Sequence, residues 1–501
     1  MAFAITQTCC ADASCVTVCP VNCIHPTPDE PGFATTEMLH VDPKTCIDCG
    51  ACADACPVDA IFPVDALTAP LRVYADINAG YYADRPQATP DPAPNFHAWG
   101  PPNFTRTIPS DFPRLDVAVV GTGPAGMYAV ADLLLHTNAR VTLLDRLPVA
   151  GGLVRFGVAP DHPSTRRIGE VFARFHRHSR LRLRLGVEVG REVSADELAR
   201  RYDAVIYAVG AAAPQSLGIP GEDLAGSVAA MTVVGWYNGH PDVAPTAVDL
   251  SAERVVVVGT GNVALDVARI LTADPADLAG TAIAPHALAA LRASKVREVV
   301  LLGRGGPASA AYTASELLAL TQRTGVDLVV DTHDPRVATA IDAAEGKAAL
   351  LRGAERVSVD WSAPPAGERR RIVLRFHSAP LAVTGEGTVR GLRVTGTGDA
   401  VEDTVEDTVE IAVEIATGQV VRAVGHRGTA LPGLPFDEAT GTIPNTAGRV
   451  TGRPGTYVVG WAKRGSTGGI GANKACAAQT VGALVDDVVA GRLPSRARRV
   501  R

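Results

Sequence analysis

Asp116-Val-Ala-Val-Val120-Gly121-Thr-Gly123-Pro124-Ala125-Gly126 is the stretch that decides the fold. Its first five residues are a continuous apolar run, the pattern of a strand buried inside a parallel sheet. Gly121-x-Gly123-x-x-Gly126 then predicts a tight turn that opens a helix through roughly His136. Arg140-Val-Thr-Leu-Leu144 predicts a second strand, and Asp145 closes it 24 residues after Gly121. Strand, glycine loop, helix and terminal acid together form the full dinucleotide context. Backbone amides at the helix start suit a pyrophosphate, and Asp145 can accept from ribose hydroxyls.

The unit recurs. Arg254-Val-Val-Val-Val258 is followed by Gly259-x-Gly261-Asn262-Val263-Ala264 and a helix from about Asn262 to Leu271. Ala264 replaces the third glycine, which close packing of helix on strand permits. Two such units predict an α/β class with two Rossmann-like domains, one for a flavin and one for a nicotinamide. After the strand Val299-Val-Leu-Leu302 comes Gly303-Arg304-Gly305. Arg304 is placed to meet a 2′-phosphate, favouring NADP over NAD; the alternative is a solvated arginine on a turn.

Upstream lies a different chemistry. Nine of the ten cysteines fall within the first 56 residues. Cys46-x2-Cys49-x2-Cys52-x3-Cys56-Pro57 is the spacing of a bacterial ferredoxin, and Cys9-x2-Asp12-x2-Cys15-x3-Cys19-Pro20 repeats it with aspartate in the second place. In two-cluster ferredoxins the last cysteine of each run serves the other run's cluster. Cys46, Cys49, Cys52 and Cys19 are thus expected to hold a 4Fe–4S cluster. Cys9, Cys15 and Cys56 are expected to hold the other, with Asp12 at its fourth corner. A carboxylate oxygen is a harder donor than a thiolate, so that cluster is expected to be 3Fe–4S, or 4Fe–4S with a labile iron. A zinc site is the weaker alternative. Cys10 and Cys23 are expected to be non-ligands, although Cys10 could substitute for a neighbour, and Cys476 a small buried hydrophobe.

Length predicts about three domains, and 47% hydrophobic content favours large cores over disorder. The apolar runs are too short to span a membrane, and the N-terminus lacks the features of a signal peptide. A cytoplasmic location is the expectation. Net charge is −6, but residues 1–62 carry −7, leaving +1 for the rest. Segment 166–184 holds seven arginines and one acid, Glu170. It matches no nucleic-acid motif. Ser164 is expected to cap a helix with the apolar stripe Ile168, Val171, Phe172 and Phe175. The arginines off that stripe are either a solvated face or a docking surface for an acidic module. Residues 63–114 are Pro-rich and predict a linker, although Tyr81, Tyr82, Phe96 and Trp99 could lie against a domain. VEDTVEDTVE at 401–410 reads as an exposed hairpin or loop edge. Gly460-Trp461 through Gly468-Gly469-Ile470-Gly471 could hold a flavin ring edge, with Trp461 over an aromatic ring. His162, in a loop, is no site on these grounds alone.

Longer phrases carry a resemblance: GLVRFGVAPDHP (152–163), VGWYNGHP (234–241), GTGNVALDVAR (259–269), GHRG (425–428) and GWAKRGSTGGIG (460–471). With them, the chain resembles the adrenodoxin-reductase-like ferredoxin–NADP reductases, in the actinobacterial form that carries a fused ferredoxin. The resemblance covers residues 115–501 for the reductase and 1–62 for the ferredoxin. It implies an FAD domain of 115–213 and 426–501 and an NADP domain of 214–425. It also implies FAD contacts at Gly123, Gly126, Asp145, Gly152, Leu153, Val154, Trp461 and Gly468–Ile470. NADP contacts would be Gly261, Asn262, Val263, Arg304 and Glu316, and His162 matches an active-site histidine. The family usually has a second arginine where this chain has Gly305. Some relatives have a second glutamate where it has Ala319.

The expected activity follows. Nicotinamide delivers a two-electron hydride and clusters accept single electrons, so a flavin must stand between them. NADPH would reduce FAD, which would feed the clusters and then an external ferredoxin or heme monooxygenase. The rival is an electron-input subunit of a glutamate-synthase-like complex. A thiol oxidoreductase is disfavoured, because no Cys-x-x-Cys lies near the flavin segments.

Overall fold

The computed structural model describes residues 2–83, 108–367, 369–395 and 412–494. The chain divides into two units: 1–158 with 164–213 and 426–501, and 159–163 with 214–425.

The first unit contains a seven-stranded sheet. Thr456–Val458, Ala204–Tyr207, Asp116–Val120, Arg140–Asp145 and Leu181–Leu185 run parallel in that order. Two short antiparallel strands, Arg449–Val450 and Asn445–Thr446, extend one edge. Val117 to Val119 are fully buried, as a parallel strand covered on both faces requires. The helices Pro124–His136 and Ala472–Val489 pack on this sheet and on each other.

The cysteine-rich residues form a small module in the same unit. Phe3–Ile5 pairs with Ile61–Pro63, and Ile24–His25 with His40–Val41, both antiparallel. Short helices, Ser14–Val18 and Ala51–Ala55, lie inside the two cysteine runs. A third helix, Val73–Tyr81, falls among residues whose composition predicts a linker. It belongs to the module's core. Asn78, 2% exposed, accepts from Ile5 N and Val41 N and donates to Ile5 O. Tyr82 donates to the His40 carbonyl, and Tyr81 stacks on His40. Proline counting missed this helix because Asn78 bonds strands more than thirty residues away. Phe96, Trp99 and the 401–410 repeat lie outside the described residues.

The arginine segment also differs from expectation. It forms two pieces, Pro163–Arg166 and Ile168–Phe175, and Arg167 rather than Ser164 stands before the longer one without side-chain capping. Ile168 and Phe172 of the predicted stripe are buried, while Arg174 and Arg177 are exposed.

The second unit has an all-parallel sheet in the order Ser227–Ala229, Gln419–Arg422, Arg254–Val258, Glu298–Leu302, Arg370–Arg375, Val326–Asp331, Glu355–Val357. A three-stranded antiparallel sheet, Pro380–Thr384, Gly391–Thr395 and Ala412–Ala416, accompanies it. Residues 159–163, with His162, belong to this unit rather than the first. Among the described residues no helix is long and apolar enough to cross a membrane.

Candidate cofactor sites

The two cysteine runs fold into two cages, each closed by a residue of the other run. One is lined by Cys9, Cys10, Asp12, Cys15 and Cys56. The other is lined by Cys19, Cys23, Cys46, Cys49 and Cys52. The expected exchange of the fourth cysteine is therefore present in the geometry. Cys10 and Cys23, expected to be non-ligands, also line the cages. Cys23 Sγ lies 3.4 Å from Cys19 Sγ.

The cages fit an iron–sulfur cluster chemically. Backbone amides point at sulfur: Leu39 N and Ala11 N to Cys9 Sγ at 3.5 Å, and Ala60 N to Cys56 Sγ at 3.2 Å. All ten cysteines are free thiols. Burial pushes Cys9 and Cys52 up to about 11. Such groups would stay protonated by themselves, and a bound metal deprotonates coordinating thiols outright.

Asp12 stands apart from the thiols in what holds it. Its carboxylate accepts from Ser14 N at 3.1 Å and from the Ser14 hydroxyl. Lys474 Nζ lies 3.6 Å from its Oδ2.

The first glycine loop is shaped by close approach. Gly121 has φ +112°, and a Cβ there would lie 2.3 Å from the Ala208 carbonyl oxygen. At Gly126 a Cβ would lie 1.9 Å from the Gly121 oxygen, so the helix can reach the strand only without a side chain. Gly152 meets Gly123 backbone to backbone, and a Cβ at Gly460 would fall 2.5 Å from Ala125 Cβ. The predicted residues Gly121, Gly123, Pro124, Ala125, Gly126, Gly152 and the Gly460-Trp461 turn therefore converge on one helix start. Leu153 and Val154 follow on the short helix Gly152–Phe156. This bare cradle fits a dinucleotide pyrophosphate. Asp145 accepts from Thr122 N at 2.8 Å, from the Thr122 hydroxyl and from Leu147 N at 2.9 Å. A carboxylate with that many donors still has acceptor capacity for a ribose hydroxyl.

Trp461 ties down the third glycine stretch. Its Nε1 donates to Thr467 O at 3.0 Å and to Gly468 O at 3.1 Å, and its ring stacks on His426. Asn473 Nδ2 donates to Gly469 O at 3.0 Å, leaving Gly468 and Gly469 exposed and Ile470 half-buried.

In the second unit, Gly259 repeats the geometry of Gly121, with φ +125° and the Ala423 oxygen 2.3 Å from a built Cβ. Gly261 precedes the helix Asn262–Thr272 and has open space around it. Asn262 and Val263 lie in its first turn, and Asn262 Oδ1 accepts from Thr313 N at 2.9 Å. Arg304 is exposed. A side chain at Gly305 would meet the Ser309 hydroxyl at 2.4 Å, so the usual second arginine would have to displace it.

His162 and Glu316 are brought together with Asp266, their ligand atoms all within 4.8 Å of one another. Arg269, buried, pairs with Asp161 at 2.8 Å, Asp266 at 2.7 Å and Glu316 at 3.6 Å. Burial, then Asp266, raises Glu316 above its ordinary value, against the pull of His162 and Arg269. Sequence gave no sign of Asp266 and Arg269, which lie one helical turn apart on the helix after the second glycine loop.

Comparison with known proteins agrees with this layout. Residues 115–333 match the family model of pyridine nucleotide-disulphide oxidoreductases, and residues 39–62 match a 4Fe-4S binding domain. A probable ferredoxin/ferredoxin–NADP reductase of Mycobacterium tuberculosis is 47% identical over 504 residues, covering 98% of this chain and 85% of that protein. Mitochondrial NADPH:adrenodoxin oxidoreductase of Mus musculus is 39% identical, covering 79% and 83%. Among solved structures, Mycobacterium tuberculosis FprA in complex with NADPH superposes with a TM-score of 0.67 at 42% identity, covering 76% of this chain and 87% of that one. With relatives matching along nearly its whole length, the chain belongs to the ferredoxin/ferredoxin–NADP reductase family.

Proposed function

We propose that this NADPH-dependent oxidoreductase moves electrons from NADPH through FAD into one 4Fe–4S and one 3Fe–4S cluster, and from there to an external ferredoxin or heme monooxygenase. The observation that carries this reading is that one compact unit contains both the bare glycine cradle and the two cysteine cages. FAD supplies the chemistry that joins the two, since it accepts electrons in pairs and releases them singly.

The chain's own residues bind and orient. Amides at the start of Pro124–His136 would meet the flavin pyrophosphate, Asp145 would accept from its ribose, and Gly468–Ile470 with Trp461 would hold the rest of the flavin. Gly261, Asn262 and Val263 do the same for the nicotinamide dinucleotide, and Arg304 meets its 2′-phosphate. His162, Asp266 and Glu316 form one cluster of polar side chains, their ligand atoms within 4.8 Å of one another. Cys19, Cys46, Cys49 and Cys52 supply four thiolates. Cys9, Cys15 and Cys56 supply three, and Asp12 is already engaged by Ser14 and Lys474, which favours the three-iron form there. Free cysteines, unpaired by disulfides, suit the reducing cytoplasm.

Iron, sulfide and flavin analysis, with electron paramagnetic resonance of the oxidised protein, tests the cofactor set. Anaerobic NADPH reduction and turnover against a panel of ferredoxins and heme monooxygenases tests the activity. Eight stable irons without a three-iron signal would refute the unequal pair. No reduction of any one-electron acceptor would refute the activity.

A further inference from the structure

Within the first unit the ferredoxin module is seated by its first cysteine run. Gly471 N donates to the Cys10 carbonyl at 3.1 Å. A Cβ at Gly471 would lie 2.0 Å from that oxygen and 2.6 Å from Asp12 N, so the approach requires glycine. One turn on, Lys474 Nζ donates to Ser14 Oγ at 2.9 Å and lies 3.6 Å from Asp12. Arg167 pairs with Asp59, next to the second run. The second run is placed differently. Ile47, Asp48 and Cys49 are exposed, and Cys49 is the one exposed cysteine of the ten.

We propose that the contact between Gly471–Lys474 and Cys10–Ser14 is the port through which electrons enter the ferredoxin module, so that the Cys9/Cys15/Cys56 cage fills first and the Cys19/Cys46/Cys49/Cys52 cage, open at Cys49, delivers to the acceptor. This rests on the cofactor reading above. Gly471 directly follows the Gly468–Ile470 stretch assigned to the flavin ring. Its amide is one hydrogen bond from the peptide that joins Cys10 to Ala11. The basic Lys474 and Arg167 hold acidic partners, Asp12 and Asp59, and such pairs fix register more than affinity. Each NADPH supplies two electrons and a proton. The electrons cross one at a time, each lowering one ferric iron to ferrous, and the proton leaves to water.

Lys474→Glu in the full-length holoprotein, with its iron and flavin content shown to equal that of the unmodified protein, places a carboxylate against Asp12 and should open the contact. NADPH mixing is followed by flavin bleaching and by freeze-quench paramagnetic resonance of each cluster. Amide hydrogen exchange of residues 9–16 reports the contact itself. The expected result is unchanged flavin bleaching, faster exchange, and reduction of both clusters slowed by roughly tenfold or more, the scale on which small misplacements are felt. Faster exchange with unchanged cluster reduction overturns the port. Slowing confined to the Cys9/Cys15/Cys56 cluster overturns the order. If the variant fails to load its cofactors, the unmodified protein decides. There the Cys9/Cys15/Cys56 cluster must change first, and reduction of the other cluster ahead of it overturns the proposal. A purified protein lacking iron or flavin altogether would instead refute the cofactor reading.

Discussion

The two cysteine runs are built on one plan and used in two ways. Each has a residue in the left-handed region two places after its first cysteine, Ala11 with φ 51° and Asp48 with φ 59°, and another before its short helix, Ala13 with φ 58° and Gly50 with φ 74°. Each run ends at a comparable turn, Asn22 with φ 49° and Asp59 with φ 46°. The backbone is a repeat, while the surroundings are not. Asp12 sits where Cys49 stands in the other run, and its side chain is 8% exposed, against Ser14 and Lys474. Cys49 faces solvent. The duplicated scaffold thus differs at one cage position, an acid held by the chain in one run and an exposed thiol in the other.

The comparison breaks most visibly by exchanging the odd ligand. Asp12→Cys should convert the first cluster to 4Fe–4S, abolishing the three-iron resonance of the oxidised protein. Cys49→Asp should do the reverse at the second cage. Iron counts and paramagnetic resonance read both. If Asp12→Cys leaves a three-iron signal, the ligand is not what separates the runs.

The two glycine loops form a milder pair. Gly121 and Gly259 share their conformation and close approach, whereas Gly126 is matched by Ala264, which is fully buried. Their difference is expected in the nucleotide each selects. Losing the charged contact at Arg304→Ala should cost about 1.5–3 kcal/mol, roughly tenfold or more, in the Michaelis constant for NADPH. The constant for NADH should stay nearly unchanged. Equal effects on both cofactors would remove Arg304 from the 2′-phosphate.

Smaller effects come from the backbone. An L-residue in the left-handed region costs roughly 1–2 kcal/mol. Gly50→Ala should therefore destabilise the oxidised protein by about 1 kcal/mol. Ala13→Gly at the matching place should be neutral or mildly stabilising. Denaturation of the two variants under anaerobic conditions tests whether the repeats carry equal strain.

Glu316→Gln should have the smallest effect, and its sign is fixed. The folded state holds Glu316 above its ordinary value. Ionising it therefore works against the fold at neutral pH, and this penalty disappears once pH falls below the ordinary glutamate value, where both states are protonated. The glutamine variant should melt slightly higher near neutrality. That gain should vanish on acidification. A gain that persists in acid would point to packing rather than charge.

Parts whose logic is local were legible along the chain. Strand, turn and helix around Gly121 and Gly259 appeared within a residue or two of their predicted ends, because apolar runs and positive-φ glycines act over a few neighbours. The cysteine spacing named the cage residues, since ligand type and ruler are written along the chain. What meets across distance came from folding. Val73–Tyr81 joined the ferredoxin module through Asn78, against a composition that predicts a linker. Cys10 and Cys23 turned into the cages. Asp266 and Arg269 gathered His162 and Glu316, and Gly471 received the Cys10 carbonyl. These are pairings between residues far apart in the chain, fixed by packing and by the need to satisfy buried polar groups, and no periodicity records them.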